Sequence, residues 1–205
     1  MLSLEWDDPE LFREIVRRRI VTSTDLTGEF STVWQQIASP LVGIEESFSY
    51  LLDRTLRRPR DLLMFLSDAV QVALDRGHDR ISAGDIQHAE QGYSENMLVN
   101  LLFEIEDTHS GIALVVYSFQ GAPKTLSPGS LESLIDSAGV SDVEASKAVE
   151  LLLWFGFLGI RLNATGEEQY SYDVRYDLRR LLHQTQTMKA VFVIHPAFRA
   201  ALGIS

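Results

Sequence analysis

The sequence predicts a mainly α fold, a helical bundle over residues 1–97 followed by an α+β winged-helix-like domain over 98–205 with a small β-hairpin sheet. Three observations lead there. Apolar residues in the first half recur at helical spacing between Pro and Gly punctuation. Ser82 with Asp85, and Ser141 with Glu144, have the spacing of capping boxes that open helices. In the second half a helical pair is followed by a turn-separated alternating run, which reads as a hairpin.

Asp8 and Pro9 form an N-cap and first-turn pair for a helix of about three turns. It places Leu11, Ile15 and Arg19 on one face and Phe12, Val16 and Ile20 on the next. Phe30, Val33, Trp34 and Ile37 fall at i, i+3, i+4 and i+7, so a short helix precedes the break at Ser39-Pro40. Ile44, Phe48, Leu51, Leu52 and Leu56 repeat the pattern. Pro59 restarts the chain, and Leu62, Leu63, Leu66, Ala69, Val70 and Ala73 build a helix stopped by Gly77. The helix opened at Ser82 carries Ile86, Ala89 and Tyr93 inward, and a separate helix over 95–109 has Leu98, Leu101, Leu102 and Ile105 as its stripe.

Beyond Gly111, the apolar run 112–119 is too short for periodicity to choose between buried helix and strand. A short helix over 131–137 and a longer one from Ser141 through Phe155 make a helix-turn-helix. A strand over 157–162, a polar turn over 163–168 and an alternating strand over 170–174 complete the winged-helix outline. A helix over 177–185, a β-like run over 191–194 and a last helical turn at His195-Pro196 extend it.

Net charge is −11, from 18 basic and 29 acidic residues, which opposes broad affinity for a phosphate backbone but leaves room for local basic clusters. The absence of Cys excludes a disulfide, a thiolate nucleophile and a Cys-ligated zinc, and points to a reducing compartment, the cytoplasm. No apolar run approaches a membrane span, and the acidic start is unlike a signal peptide. No G-x-x-x-x-G-K-[ST], H-E-x-x-H, G-x-S-x-G or G-x-G-x-x-G occurs, and the five His residues lack ligand spacing. The expectation is a chain that is not an enzyme, with no metal site and no cofactor of its own.

The most distinctive segment is Arg54-Thr55-Leu56-Arg57-Arg58-Pro59-Arg60-Asp61. Four guanidiniums near a helix N-terminus oppose its positive dipole end and need acidic partners or an anion. Asp53, Asp61 and Asp68 supply one answer, as surface ion pairs. The other is a phosphate contact, with Arg60 presenting the planar fork that suits phosphate oxygens. The triplet Arg17-Arg18-Arg19 reads as solvated, because consecutive helix positions do not share a face. On the second helix of the winged-helix outline Lys147 stands against Asp142, Glu144 and Glu150, and the wing carries Glu167 and Glu168. That face repels phosphate, so protein interaction is expected there rather than DNA reading. Trp154, Phe155, Phe157, Tyr170, Tyr172 and Tyr176 read as core packing.

The stretch YLLDRTLRRPRDLLMFLSDAV followed by ISAGDIQHAEQGYS resembles the segment after the nucleotide-binding core of bacterial P-loop ATPases of the AAA+/STAND type. The opening LEWDDPELFREIVRRRI and the ending VIHPAFRAALGI are similar to the same proteins, and lid followed by winged helix is the order of initiator-type ATPases. The resemblance implies that residues 1–97 are a helical lid and that Arg60, flanked by Arg57 and Arg58, inherits the role of a sensor-2 arginine reaching a γ-phosphate. The chain departs from the family in carrying no P-loop, Walker B acid or first sensor. By that resemblance it is a non-catalytic regulatory and interaction module, defence-associated or signalling, either a piece of a longer protein or a stand-alone relative. ATP and Mg belong to the parent ATPase. Its partners would be the ATPase core or another protein, with self-association a further expectation. A stand-alone winged-helix DNA-binding regulator is the alternative, and a carboxylate hydrolase would rest on nothing beyond abundant Asp and Glu.

Overall fold

The computed structural model describes residues 8–162, 166–187 and 191–204. The predicted turn residues 163–165, residues 4–7 of the opening segment and Lys189 lie outside them. The chain divides into two compact units, 1–93 and 94–205.

In the first unit α1 (Pro9–Ser23) starts where the Asp8 side chain accepts from the Glu10 N–H at 2.9 Å, and it buries Phe12, Val16 and Ile20. Burial selects that stripe and leaves Leu11 exposed. α2 (Phe30–Ile37) and α3 (Ser47–Asp53) meet through rings: Phe30, Trp34 and Phe48 lie 4.8 to 5.5 Å apart, and the Trp34 indole N–H donates to the Ser47 hydroxyl at 2.9 Å. The Arg13 guanidinium lies over Phe30 and Phe48 and reaches both Glu46 oxygens, closing the cluster at its edge.

Between α2 and α3 the chain makes a two-stranded hairpin, β1 (Leu41–Val42) and β2 (Glu45–Glu46), instead of extending the helix back to Ile44. Ile44, in the turn with Gly43 at φ 60°, is 98% exposed, so helical spacing misassigned it to the apolar stripe. α4 (Pro59–Asp75) has Pro59 in its first turn and stops at Gly77, whose φ of 71° lets its N–H reach the Leu74 carbonyl while the His78 N–H reaches Ala73.

α5 (Ala83–Thr108) is one helix of 26 residues where two were expected. The Ser82 and Asp85 capping pair forms. The helix continues through Ser94, a buried residue whose hydroxyl accepts from the Ala201 N–H at 3.0 Å.

In the second unit the ambiguous run is a 3-10 helix, Ala113–Phe119, that buries Ala113, Val115, Val116 and Phe119. β3 (Thr125–Leu126) leads into α6 (Pro128–Ser137), and α7 (Asp142–Trp154) follows with the reciprocal Ser141–Glu144 box formed. β4 (Leu158–Arg161) and β5 (Glu168–Gln169) form the hairpin. Residues 170–174 are not the predicted strand. Asp173 accepts from the Tyr170 N–H at 2.9 Å, and Tyr172–Val174 closes into a 3-10 turn. α8 (Leu178–Thr187), β6 (Val191–Ile194) and α9 (Pro196–Arg199) complete the chain.

The sheet order is β3-β6-β4-β5, all antiparallel, so the late β6 pairs with both β4 and the short β3 that periodicity could not detect. Phe119, Phe157 and Phe198 are buried and pack in sequence, their ring centroids about 5 Å apart. The fold is mainly helical with a small antiparallel sheet, as the sequence predicts. Among the described residues no helix is long and apolar enough to cross a membrane.

Candidate functional site

The arginine-rich turn between α3 and α4 distributes its charges to different places. Arg54 leaves the local aspartates and reaches Glu90 of α5 at 2.8 Å, its guanidinium stacked 3.3 Å above the Tyr50 ring while the Tyr50 hydroxyl donates to the same Glu90. Burial first, and then the hydrogen bond to Glu90, push the Tyr50 phenol above its ordinary range.

Arg57 adopts φ 49°, the left-handed conformation that turns the chain into α4, and Arg58 stands at the N-cap position. The field of Arg57 opposes the burial that raises the Asp53 carboxyl. Asp61 is fully buried beside Tyr93, whose phenol is raised by burial and then by the Asp61 charge, with Arg58 opposing. Burial alone raises Asp68, so this carboxylate does not serve the arginines. Of the three aspartates expected as partners, Asp61 pairs with Arg60 at 3.6 Å and Asp53 lies in the field of Arg57.

Arg60 is the member of the turn that faces a cavity. Its side chain is 74% exposed, and it lines a groove of about 810 Å³ formed by the end of α1, one face of α4 and the loop 78–81. Leu63, Met64, Val70 and Leu74 supply an apolar floor. Leu74 is 64% exposed and Leu63 half-buried, whereas Leu62 and Leu66 on the other side of α4 are buried. Arg57 and Arg58 do not line this groove.

Arg19 joins Arg60 at the groove, and the sequence reading missed it. Arg17 and Arg18 both bind Glu14, the former first in effect, and hold its carboxyl at about 2. Arg19 makes no ion pair among the described residues. The signal was present in the sequence: Glu14 stands three and four residues before Arg17 and Arg18, whereas Arg19 has Ile15, Val16, Thr22 and Ser23 at those offsets.

The loop that closes the groove is firmly held. Arg80 donates to the Gln35 and Ala38 carbonyls at 2.6 and 2.8 Å, satisfying the end of α2, and Ile81 bridges to Ala38. His78 and Arg76 converge on buried Asp85 at 2.8 and 3.1 Å. Burial would raise Asp85, but hydrogen bonds from His78, Ser82 and Arg76 outweigh it and hold the carboxyl far below its ordinary range. Arg80 and His78 are therefore structural, which leaves Arg19 and Arg60 as the cations able to meet an anionic group. Among the described residues no cluster of His, Asp or Glu is placed to hold a metal ion.

In the second unit the acidic face of α7 matches its sequence reading: Lys147 is paired with Glu150 at 3.0 Å, and across the hairpin Arg161 is paired with Glu168 at 2.8 Å. Phe157 and Tyr170 are core, but Trp154 and Tyr176 are not. They are 42% and 40% exposed, Trp154 as the last residue of α7 and Tyr176 in the turn before α8.

Residues 10–102 match the family model described as the FunZ-associated C-terminal helical domain. Over 191 residues the chain is 25% identical to the 80.3 kDa protein named for transposon gamma-delta in Escherichia coli K12, an alignment covering 85% of this chain and 27% of that protein. The chain thus spans about a quarter of the length of the curated relative it matches. No solved structure matches it.

Proposed function

We propose that this chain is a non-catalytic regulatory and interaction module of a larger P-loop ATPase, in which the groove of the helical unit meets the nucleotide phosphates held by the core. The observation that carries the reading is the exposed Arg60 at the groove, joined there by Arg19, which makes no ion pair among the described residues; Asp79 is the acidic residue of the lining. A guanidinium whose one ion pair is stretched to 3.6 Å is available for a second, bidentate partner. The match to a domain described as FunZ-associated, C-terminal and helical supports an accessory role. The relative is named for a transposon, which supports a parent protein encoded by a mobile element.

In this reading the chain alone does not bind ATP, because it has no lysine-bearing glycine loop to cradle the β- and γ-phosphates. Calorimetry with Mg-ATP on the 205-residue chain is expected to give no heat of binding, and Mg-dependent micromolar affinity would overturn the proposal. In the parent protein Arg60→Ala should lower kcat by about 10²-fold, the usual loss when one donor to transition-state charge is removed. The melting temperature should hold. Undiminished hydrolysis in that variant would remove Arg60 from the mechanism.

A further inference from the structure

A second cationic surface stands in the other unit, on α8. Leu181 is the buried anchor of this helix and Leu178 and Leu182 are half-buried, so Arg179, Arg180 and His183 occupy the opposite, exposed side. Arg179 and Arg180 make no side-chain ion pair among the described residues. The nearest acids in sequence are engaged with backbone: Asp173 accepts from the Tyr170 N–H and Asp177 from the Arg180 N–H at 3.2 Å.

Exposed aromatic rings adjoin these arginines. Trp154 at the end of α7 and Tyr176 before α8 have ring centroids 5.4 Å apart. Tyr176 stands two residues before α8 and precedes Arg179 and Arg180 by three and four residues, so the ring enters the exposed start of the helix that carries the guanidiniums. The placement is costly to the backbone. Arg175 and Tyr176 hold φ values of 53° and 61°, an uncommon conformation for two successive residues with side chains, pinned by the Tyr176 N–H donating to the Ser171 carbonyl at 2.7 Å.

We propose that Trp154, Tyr176, Arg179 and Arg180 form a binding surface for single-stranded nucleic acid. Unpaired bases present π faces that stack on exposed aromatics while guanidiniums take the phosphates, and both halves of that requirement are met here. A duplex has its bases already stacked and gains nothing from the rings. An acidic polypeptide would meet the arginines but leave both rings in water. The acidic residues Asp142 and Glu150 of α7, where a winged helix would read duplex DNA, line a pocket with Leu182 and Thr185 of α8 and not with Arg179 or Arg180, and the surface is independent of the nucleotide reading of the first unit.

The test is fluorescence anisotropy of a labelled oligothymidylate of about 20 nucleotides with the 205-residue chain at about 50 mM salt, with a duplex of the same length and polyglutamate as competitors. The expected result is saturable binding that neither competitor displaces at tenfold excess over the oligonucleotide. Trp154→Leu should weaken it about tenfold, the effect of losing one base–aromatic stack. Arg179→Gln with Arg180→Gln should reduce the logarithmic salt slope by about 1.4, at roughly 0.7 per phosphate contact for a single strand. Both changes are on exposed side chains, and circular dichroism should be unaltered. No binding by the unmodified chain, equal displacement by duplex or polyglutamate, or full affinity in both folded variants would overturn the proposal.

Discussion

Asp85 shows how much one buried carboxylate can carry. It receives the Ser82 N–H and hydroxyl at the start of α5, and His78 and Arg76 from the turn after α4, so it ties a helix to the loop that closes the groove. Its folded value lies below the ordinary 3.8, so the unfolded chain binds its proton more readily. The stabilisation is then complete above about pH 4 and is lost as pH falls further. Asp85→Asn is expected to cost about 2 kcal/mol at neutral pH by leaving the Arg76 guanidinium and the neighbouring donors poorly satisfied. It should also flatten the acid limb of the stability curve, which urea denaturation between pH 5 and 2 would reveal as converging traces. Gly159 is a second sensitive position. A Cβ there would stand 2.6 Å from the Tyr170 ring and 2.8 Å from the Gln169 carbonyl, in the middle of β4. Gly159→Ala should destabilise by about 1–3 kcal/mol, as overpacking does, measurable as a lower urea midpoint.

At the scale of elements, local signals were legible wherever the chain settled its own hydrogen bonds. Asp8-Pro9, Ser82-Asp85, Pro59 with Gly77, and Ser141-Glu144 each punctuate a helix that the structure contains, because caps act over three or four residues. Some errors arise at local turns, as at Ile44 and Asp173, and others where a distant partner intervenes. A separate helix over 95–109 was expected, but α5 runs through Ser94, whose hydroxyl accepts from the Ala201 N–H, 107 residues away. β3 has two residues and exists because β6 pairs with it. The unbroken α5 contains Gly92, around which a Cβ would meet nothing. Gly92→Ala should therefore stabilise the chain by about 1 kcal/mol through reduced backbone entropy of the unfolded state, seen as a higher melting temperature. A neutral or negative shift would mean that the helix is strained at that point.

Over the whole molecule, a net charge of −11 conceals two places where cations outnumber their partners, the groove with Arg19 and Arg60 and the exposed side of α8. Composition averages over the surface and could not find either. The cation cluster around Arg60 was visible in sequence, yet only folding separated its members, sending Arg54 to Glu90 and leaving Arg60 at the groove.

What the sequence determined by itself is the helical character of the chain, most helix ends, the hairpin module in the second half and the absence of a phosphate-cradling loop. These depend on periodicity and on contacts within a few residues. What the tertiary structure decided is which arginines are spent on carboxylates, which aromatics stay in water and where two strands find partners. Those outcomes depend on groups brought together from far along the chain, and a side chain's availability is set by the neighbours that folding delivers.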